Sequence, residues 1–234
     1  MDCFYSPPDN ILKDKIIIEG EEYSHLVTVM RKKQGDMIRV VDGVGNAYDV
    51  RVDKKFRQSA HCSIINIYPN HNEPKIHLVM GVGILKSPAR SEFLVEKVTE
   101  LGVKAIIPLK TERTIPAKPK TERWKRVALA AIKQSERAYL PPIRELRTLW
   151  QCIKEQRIFD LKLIAHEKAT EHITSVKQKN SSANSIIILI GPEGGFTDNE
   201  VKQCVAENFV PVSLNKKRLR TETAAIVAAT LLID

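Results

Sequence analysis

In residues 1–70 short runs of alternating apolar and polar positions are separated by turn-forming residues. Residues 15–18, 37–41, 47–52 and 62–68 are rich in Val, Ile and Tyr and predict strands. Asp42-Gly43-Val44-Gly45-Asn46 lies between two of them and has the composition of a hairpin loop. Residues 25–31 predict one short helix, and the whole region predicts a small β-barrel. The polar stretch from Pro69 to Pro74 is bounded by prolines and predicts a linker. The domains are therefore expected at 1–70 and 75–234.

Beyond the linker the period changes. Residues 76–82, 105–109, 161–165, 185–190 and 210–214 predict strands, several of them almost continuously apolar. Residues 90–101 and 121–138 carry apolar positions at helical spacing, and Gly102 suits the end of the first. Strands alternating with helices predict an α/β fold with a largely parallel sheet.

Two connections in that region carry candidate chemistry. The buried run 186–190 leads directly into Gly191-Pro192-Glu193-Gly194-Gly195. Thr197 and Glu200 then have the spacing of a capping box, so a helix begins there. A glycine-rich loop between a buried strand and a helix is where open α/β sheets bind ligands. The loop matches neither the dinucleotide nor the triphosphate glycine pattern. Glu193 opposes a polyphosphate and tolerates a cation, which favours S-adenosylmethionine over ATP or NAD. The second connection, 214–223, is densely charged and runs into the small apolar residues 224–229. Such a helix must be buried, and Arg220 and Glu222 stand at its entrance.

Composition narrows the classes further. The 234 residues are 43% hydrophobic, enough for packed cores. No apolar run reaches the roughly 20 residues of a membrane span, and the first residues lack a signal-peptide pattern. A cytoplasmic protein is expected. Cys3, Cys62, Cys152 and Cys204 are widely spaced and predict free thiols, with no metal site. The net charge is +9 and is unevenly placed. Residues 1–72 balance at ten basic and ten acidic, whereas 81–157 hold seventeen basic and eight acidic. A local excess of that kind suits a polyanion such as RNA.

Taken in order, these segments resemble the ribosomal RNA uridine N3-methyltransferases, a branch of the SPOUT superfamily. The resemblance rests on His25, Val29 and Arg31 followed by Gly35-Asp36; Lys86 and the helix ending Glu100-Leu101-Gly102-Val103; and Glu112-Arg113. It continues through Arg123-Trp124, Gln134-Ser135-Glu136-Arg137, Pro141-Pro142-Ile143, Leu189 to Gly195, and Leu219 to Ala224. It implies a PUA-like β-barrel before a trefoil-knotted parallel-sheet domain, S-adenosylmethionine as cofactor, a homodimer and no metal. It also implies transfer of a methyl group to N3 of a uridine in small-subunit ribosomal RNA. Asn215 and Lys217 depart from the family's glycine and arginine, and lysine lacks the arginine fork.

The cofactor is then expected among Ala165, His166 and Glu167; Ile190, Gly191, Pro192, Glu193, Gly194 and Gly195; and Leu214, Leu219, Thr221, Thr223 and Ala224. Arg220 is the expected stabiliser of negative charge on the uracil, and Glu222 the expected base or arginine orienter. Arg31, Lys86, Arg90, Lys97, Arg113, Arg123 and Arg137 are expected to hold RNA, with Arg113 and Arg137 mattering most. Two other readings stay open: methylation of a ribose 2′-oxygen, and a non-catalytic RNA-binding assembly factor.

Overall fold

The computed structural model describes residues 1–114, 118–155 and 158–233, which form two compact units. One comprises 1–73 and 129–140, the other 74–128 and 141–233.

The first unit is built on strands β1 (Cys3–Tyr5), β2 (Lys15–Glu19), β3 (Met37–Val41), β4 (Asn46–Lys55) and β5 (Ser59–Pro69), in sheet order β1-β3-β4-β5-β2. β1 pairs parallel with β3, and the other pairs are antiparallel. Alternation sends Ile16, Ile18, Ile38, Val40, Val50 and Val52 inward, where they pack with Phe4 and Leu26. The helix expected at 25–31 begins earlier: α1 (Gly20–Ser24) starts at a glycine with φ +61° and passes into one wider turn, His25–Val29. β1 was not expected, because three residues are too few to show a period.

Residues 129–140 were expected in the second domain but pack with the first unit. Ile132 and Ala138 join Val41 and Ala47 in a small buried cluster. The Arg137 side chain, 2% exposed, donates from Nη2 to Glu73 Oε2 at 2.8 Å, and Glu73 is buried equally deeply. A guanidinium neutralised inside a core offers no charge to a phosphate, so the expectation that Arg137 holds RNA is corrected.

The second unit holds β6 (His77–Gly83), α2 (Pro88–Glu100), β7 (Ala105–Lys110), β8 (Arg147–Thr148), α4 (Leu149–Glu155), β9 (Leu161–Ala165), α5 (Ile173–Lys179), β10 (Ser185–Ile190), α6 (Asp198–Ala206), β11 (Val210–Val212) and α7 (Thr221–Ile233). Helix α3 (Thr121–Gln134) belongs to this unit through residue 128. The sheet order is β11-β9-β10-β6-β7-β8 and every pair is parallel. The continuous apolar runs are explained by position: β6, β7 and β10 lie inside the sheet, and Leu78, Met80, Ile106, Ile187 and Ile188 are fully buried. Parallel strands bring all their carboxyl ends to one edge, and the connections that leave that edge build the site.

No helix among the described residues is long and apolar enough to cross a membrane. The cysteines are free, and burial pushes the thiols of Cys62, Cys152 and Cys204 up to about 12, so they act as small hydrophobic residues.

Candidate functional site

Three connections meet beyond the carboxyl ends of β9, β10 and β11 and enclose a cavity of about 810 Å3. Residues 165–168 follow β9, 190–196 follow β10, and 213–221 follow β11.

The glycine loop is shaped by close approach. A Cβ on Gly83 of β6 would lie 2.4 Å from Pro192 N, so only glycine there lets the loop pack down. Within the loop, Gly195 has φ +68° and donates its N–H to Pro192 O at 2.8 Å. The loop is fastened from outside. Thr221 Oγ1 donates to Gly191 O at 3.0 Å, and Arg113 Nη1 donates to Gly194 O at 2.7 Å. Glu200 accepts from Thr197 N with one oxygen and from Glu112 N with the other, both at 2.8 Å. The Glu112-Arg113 pair thus ties a neighbouring connection to the glycine loop and to the helix after it. Among the described residues, the N–H groups of Glu193 and Gly194 donate to no protein acceptor.

The third connection is held by one residue that sequence reasoning passed over and by one that it noted only as a departure. His172 caps α5 and its Nε2 lies 3.2 Å from Leu214 O. An isolated histidine carries no periodic signal, so nothing in the sequence marked it. Asn215, one of the departures from the family pattern, accepts from Lys217 N at 2.9 Å and closes a side-chain turn. It thereby supplies the bend that glycine would otherwise supply. Lys217 is exposed and lines the cavity.

An arginine from α2 organises the rim. Arg90 donates from Nε and Nη2 to the two oxygens of Glu222 at 2.9 and 2.6 Å, and from Nη1 to Glu193 Oε1 at 3.2 Å. The hydrogen bond from Arg90 holds the Glu222 carboxyl below the usual range, against the opposing effect of burial. A carboxylate with both oxygens engaged and its proton affinity lowered is a poor base. Glu222 also does not line the cavity. Of its two expected roles, base and arginine orienter, the geometry speaks against the first, and the arginine that Glu222 holds is Arg90.

Of the expected cofactor residues, Ala165, His166, Glu167, Ile190, Gly191, Pro192, Glu193, Gly194, Gly195, Leu214, Leu219, Thr221 and Ala224 line the cavity. Thr223 does not; one residue along the first turn of α7 turns it out to solvent. Arg220 lines the cavity and, among the described residues, its guanidinium makes no ion pair. The residues expected to hold RNA are scattered. Arg90 and Arg113 belong to the cavity wall. Lys97 is paired with Glu96 and Glu100, and Arg123 with Glu92. Lys86 is exposed beside Arg90, and Arg31 is exposed in the first unit with φ +51°.

The wall carries Arg90, Arg113, Lys168, Lys216, Lys217, Arg218 and Arg220 against Glu167 and Glu193. Arg218 reaches Glu193 O at 3.4 Å, and the Glu167 carboxylate at 3.7 Å. Such a cavity combines apolar strand ends, free backbone donors and both signs of charge. Those are the contacts a nucleoside with an amino-acid tail requires, and the volume suits a ligand of that size.

Residues 71–233 match the model of the RNA methyltransferase domain, and 18–64 match the RNA methyltransferase PUA domain. A ribosomal RNA small subunit methyltransferase E from Synechocystis is 31% identical over 94% of this chain and 73% of its own length. The crystal structure of a ribosomal RNA small subunit methyltransferase E from Neisseria gonorrhoeae, bound to S-adenosyl methionine, superposes with a TM-score of 0.88. It is 28% identical, over 98% of this chain and 95% of that one. A putative methyltransferase from Legionella pneumophila, in complex with the same cofactor, gives 0.85 at 27% identity, over 99% and 96%.

Proposed function

The chain belongs to the RNA methyltransferase family, and from that premise we propose that it methylates N3 of a uridine in 16S ribosomal RNA with S-adenosylmethionine as donor. The observation that carries this reading is the cavity at the carboxyl edge of the parallel sheet. Its walls are backbone and mixed charge rather than a phosphate cradle. When bound, the cofactor supplies an electrophilic methyl carbon on a sulfonium.

The chain's residues do the rest. The free N–H groups of Glu193 and Gly194 are available to acceptors of the bound nucleoside. Thr221 and Arg113 fix the loop that carries them, which gives the rigidity that in-line transfer requires. Arg220 presents a guanidinium for the charge that develops on the uracil carbonyls. The base must leave its stack, because N3 lies on the Watson–Crick edge. Arg31, Lys86 and the cavity-rim cations are the groups left to hold its backbone.

The deep knot implied by the family resemblance, with the connection before α7 threaded under the glycine loop, belongs to this proposal. So does a homodimer, supported by the half-buried Ile226, Val227 and Leu231 on α7. A cytoplasmic location follows from the substrate. The test is transfer of tritiated methyl groups to small subunits lacking the modification, followed by mass spectrometry of the nucleosides. 3-Methyluridine is expected; a 2′-O-methylated product, or no incorporation, overturns the reading.

A further inference from the structure

With Glu222 locked to Arg90, the group that receives the N3 proton must be sought elsewhere. A second, smaller cavity of about 490 Å3 adjoins the first and is lined by Lys86, Ser87, Arg90 and Glu193. Arg90 and Glu193 line both cavities, so they form the partition between them. Glu193 is oriented through one oxygen only. Its Oε1 accepts from Lys86 N and from Arg90 Nη1, each at 3.2 Å. Among the described residues no hydrogen bond reaches Oε2. The side chain is about one-third exposed.

We propose that the smaller cavity is the uracil subsite and that Glu193 is the general base, a role that rests on the reading of N3 methylation. The Watson–Crick edge of uracil presents acceptor, donor, acceptor. The smaller cavity presents the complement: cationic side chains at Lys86 and Arg90 and an unengaged carboxylate oxygen. The proton leaves N3 for Glu193 Oε2. The N3 electron pair then forms the bond to the methyl carbon while the carbon–sulfur bond breaks, its electrons passing to sulfur to leave a neutral thioether. Arg90 is a positioning residue here, since it holds the base through Oε1 and is itself held by Glu222.

Glu193→Gln separates these roles. Glutamine keeps an acceptor oxygen for Lys86 and Arg90 but replaces the proton-accepting oxygen with an amide donor. At pH 7 kcat is expected to fall about 100-fold, the scale of lost general-base catalysis. Affinity for S-adenosylmethionine, read by calorimetry, is expected to fall by less than about tenfold, because the wall keeps Glu167 but loses one of its two carboxylates. The deficit should narrow to under about tenfold by pH 9, because solvent then removes the N3 proton without help. Lys86→Met should raise KM for RNA and leave the pH profile of kcat unchanged. A Glu193→Gln deficit that is constant with pH, an absent deficit, or a loss of cofactor affinity large enough to account for it overturns the proposal. Wild-type protein run alongside must yield 3-methyluridine; if it does not, the N3 reading itself has failed.

Discussion

Two glycine-bearing loops, one in each unit, have similar composition and opposite fates. In Asp42 to Asn46 the buried Asp42 carboxylate accepts from the N–H groups of Val44, Gly45 and Asn46 at 2.8 to 3.0 Å. Its second oxygen takes the Asn46 amide and the Tyr48 hydroxyl. Three of the loop's N–H groups are thus taken by its own carboxylate, and Gly45 N–H also reaches Ala138 O. In Gly191 to Gly195 the internal bonding is a single turn, and the fastenings come from Thr221 and Arg113 at carbonyl oxygens. The N–H groups of Glu193 and Gly194 are left over. Glycines mark both loops as tight; where the donors go decides which one can bind.

The comparison breaks most sharply at Gly83. Its Cβ position falls 2.4 Å from Pro192 N and 2.9 Å from Gly191 C, both backbone atoms of the binding loop. Gly83→Ala is expected to destabilise the chain by about 3 kcal/mol or more and to abolish cofactor binding, read by urea melts and calorimetry. The self-satisfied loop should behave otherwise. Asp42→Ala strands several buried donors and should cost about 2 to 3 kcal/mol, while the surviving folded protein binds S-adenosylmethionine with unchanged affinity. Weakened binding in Asp42→Ala would show that the two loops are coupled.

Much of this was legible in residue order. The five apolar residues 186–190, the capping box at Thr197 and the abrupt change at Ala224 located the sheet, the loop and the buried helix. Contacts between distant segments left no such trace. Arg90 reaches Glu222 across 132 positions, and no local pattern distinguishes that arginine from one held for RNA. Arg137 read as a surface cation for the same reason, because its partner Glu73 is 64 positions away. Charge counts record how many cations exist and not which are already neutralised.

Arg90 gives the next test, since it joins the binding loop to the entrance of α7. Arg90→Met leaves Glu222, whose side chain is 10% exposed, without its counter-ion. Breaking a buried pair costs about 3 to 5 kcal/mol; because Arg90 is 30% exposed, solvent screening reduces the expected loss to about 2 kcal/mol. The sign with pH follows from the lowered Glu222 carboxyl. Stability from the pair is fully present above the unfolded glutamate value, about 4.3, and is lost as pH falls through the lower folded value. The gap between wild type and Arg90→Met in urea melts should thus be complete at pH 7 and close on acidification below that range. A gap independent of pH would mean that Arg90 acts through packing alone.

The smallest expected effect discriminates best between a turn and a site. Gly194 lies outside the left-handed region, and a Cβ there would lie 3.1 Å from Arg113 Cβ, so the Glu112-Arg113 backbone must give by a few tenths of an ångström. Gly194→Val should therefore cost about 1 kcal/mol, the low end for an added side chain that its neighbour can partly accommodate. Its branched side chain nevertheless crowds the loop's free N–H groups and presses on the arginine that holds Gly194 O. Affinity for S-adenosylmethionine should fall about tenfold, equivalent to about 1.4 kcal/mol. The same substitution at Gly45, where φ is +124°, should do the reverse: it strains the turn, lowers the melting temperature and leaves affinity alone. If Gly194→Val binds as wild type does, free backbone donors are not what the cofactor uses, and the contrast between the loops loses its functional meaning.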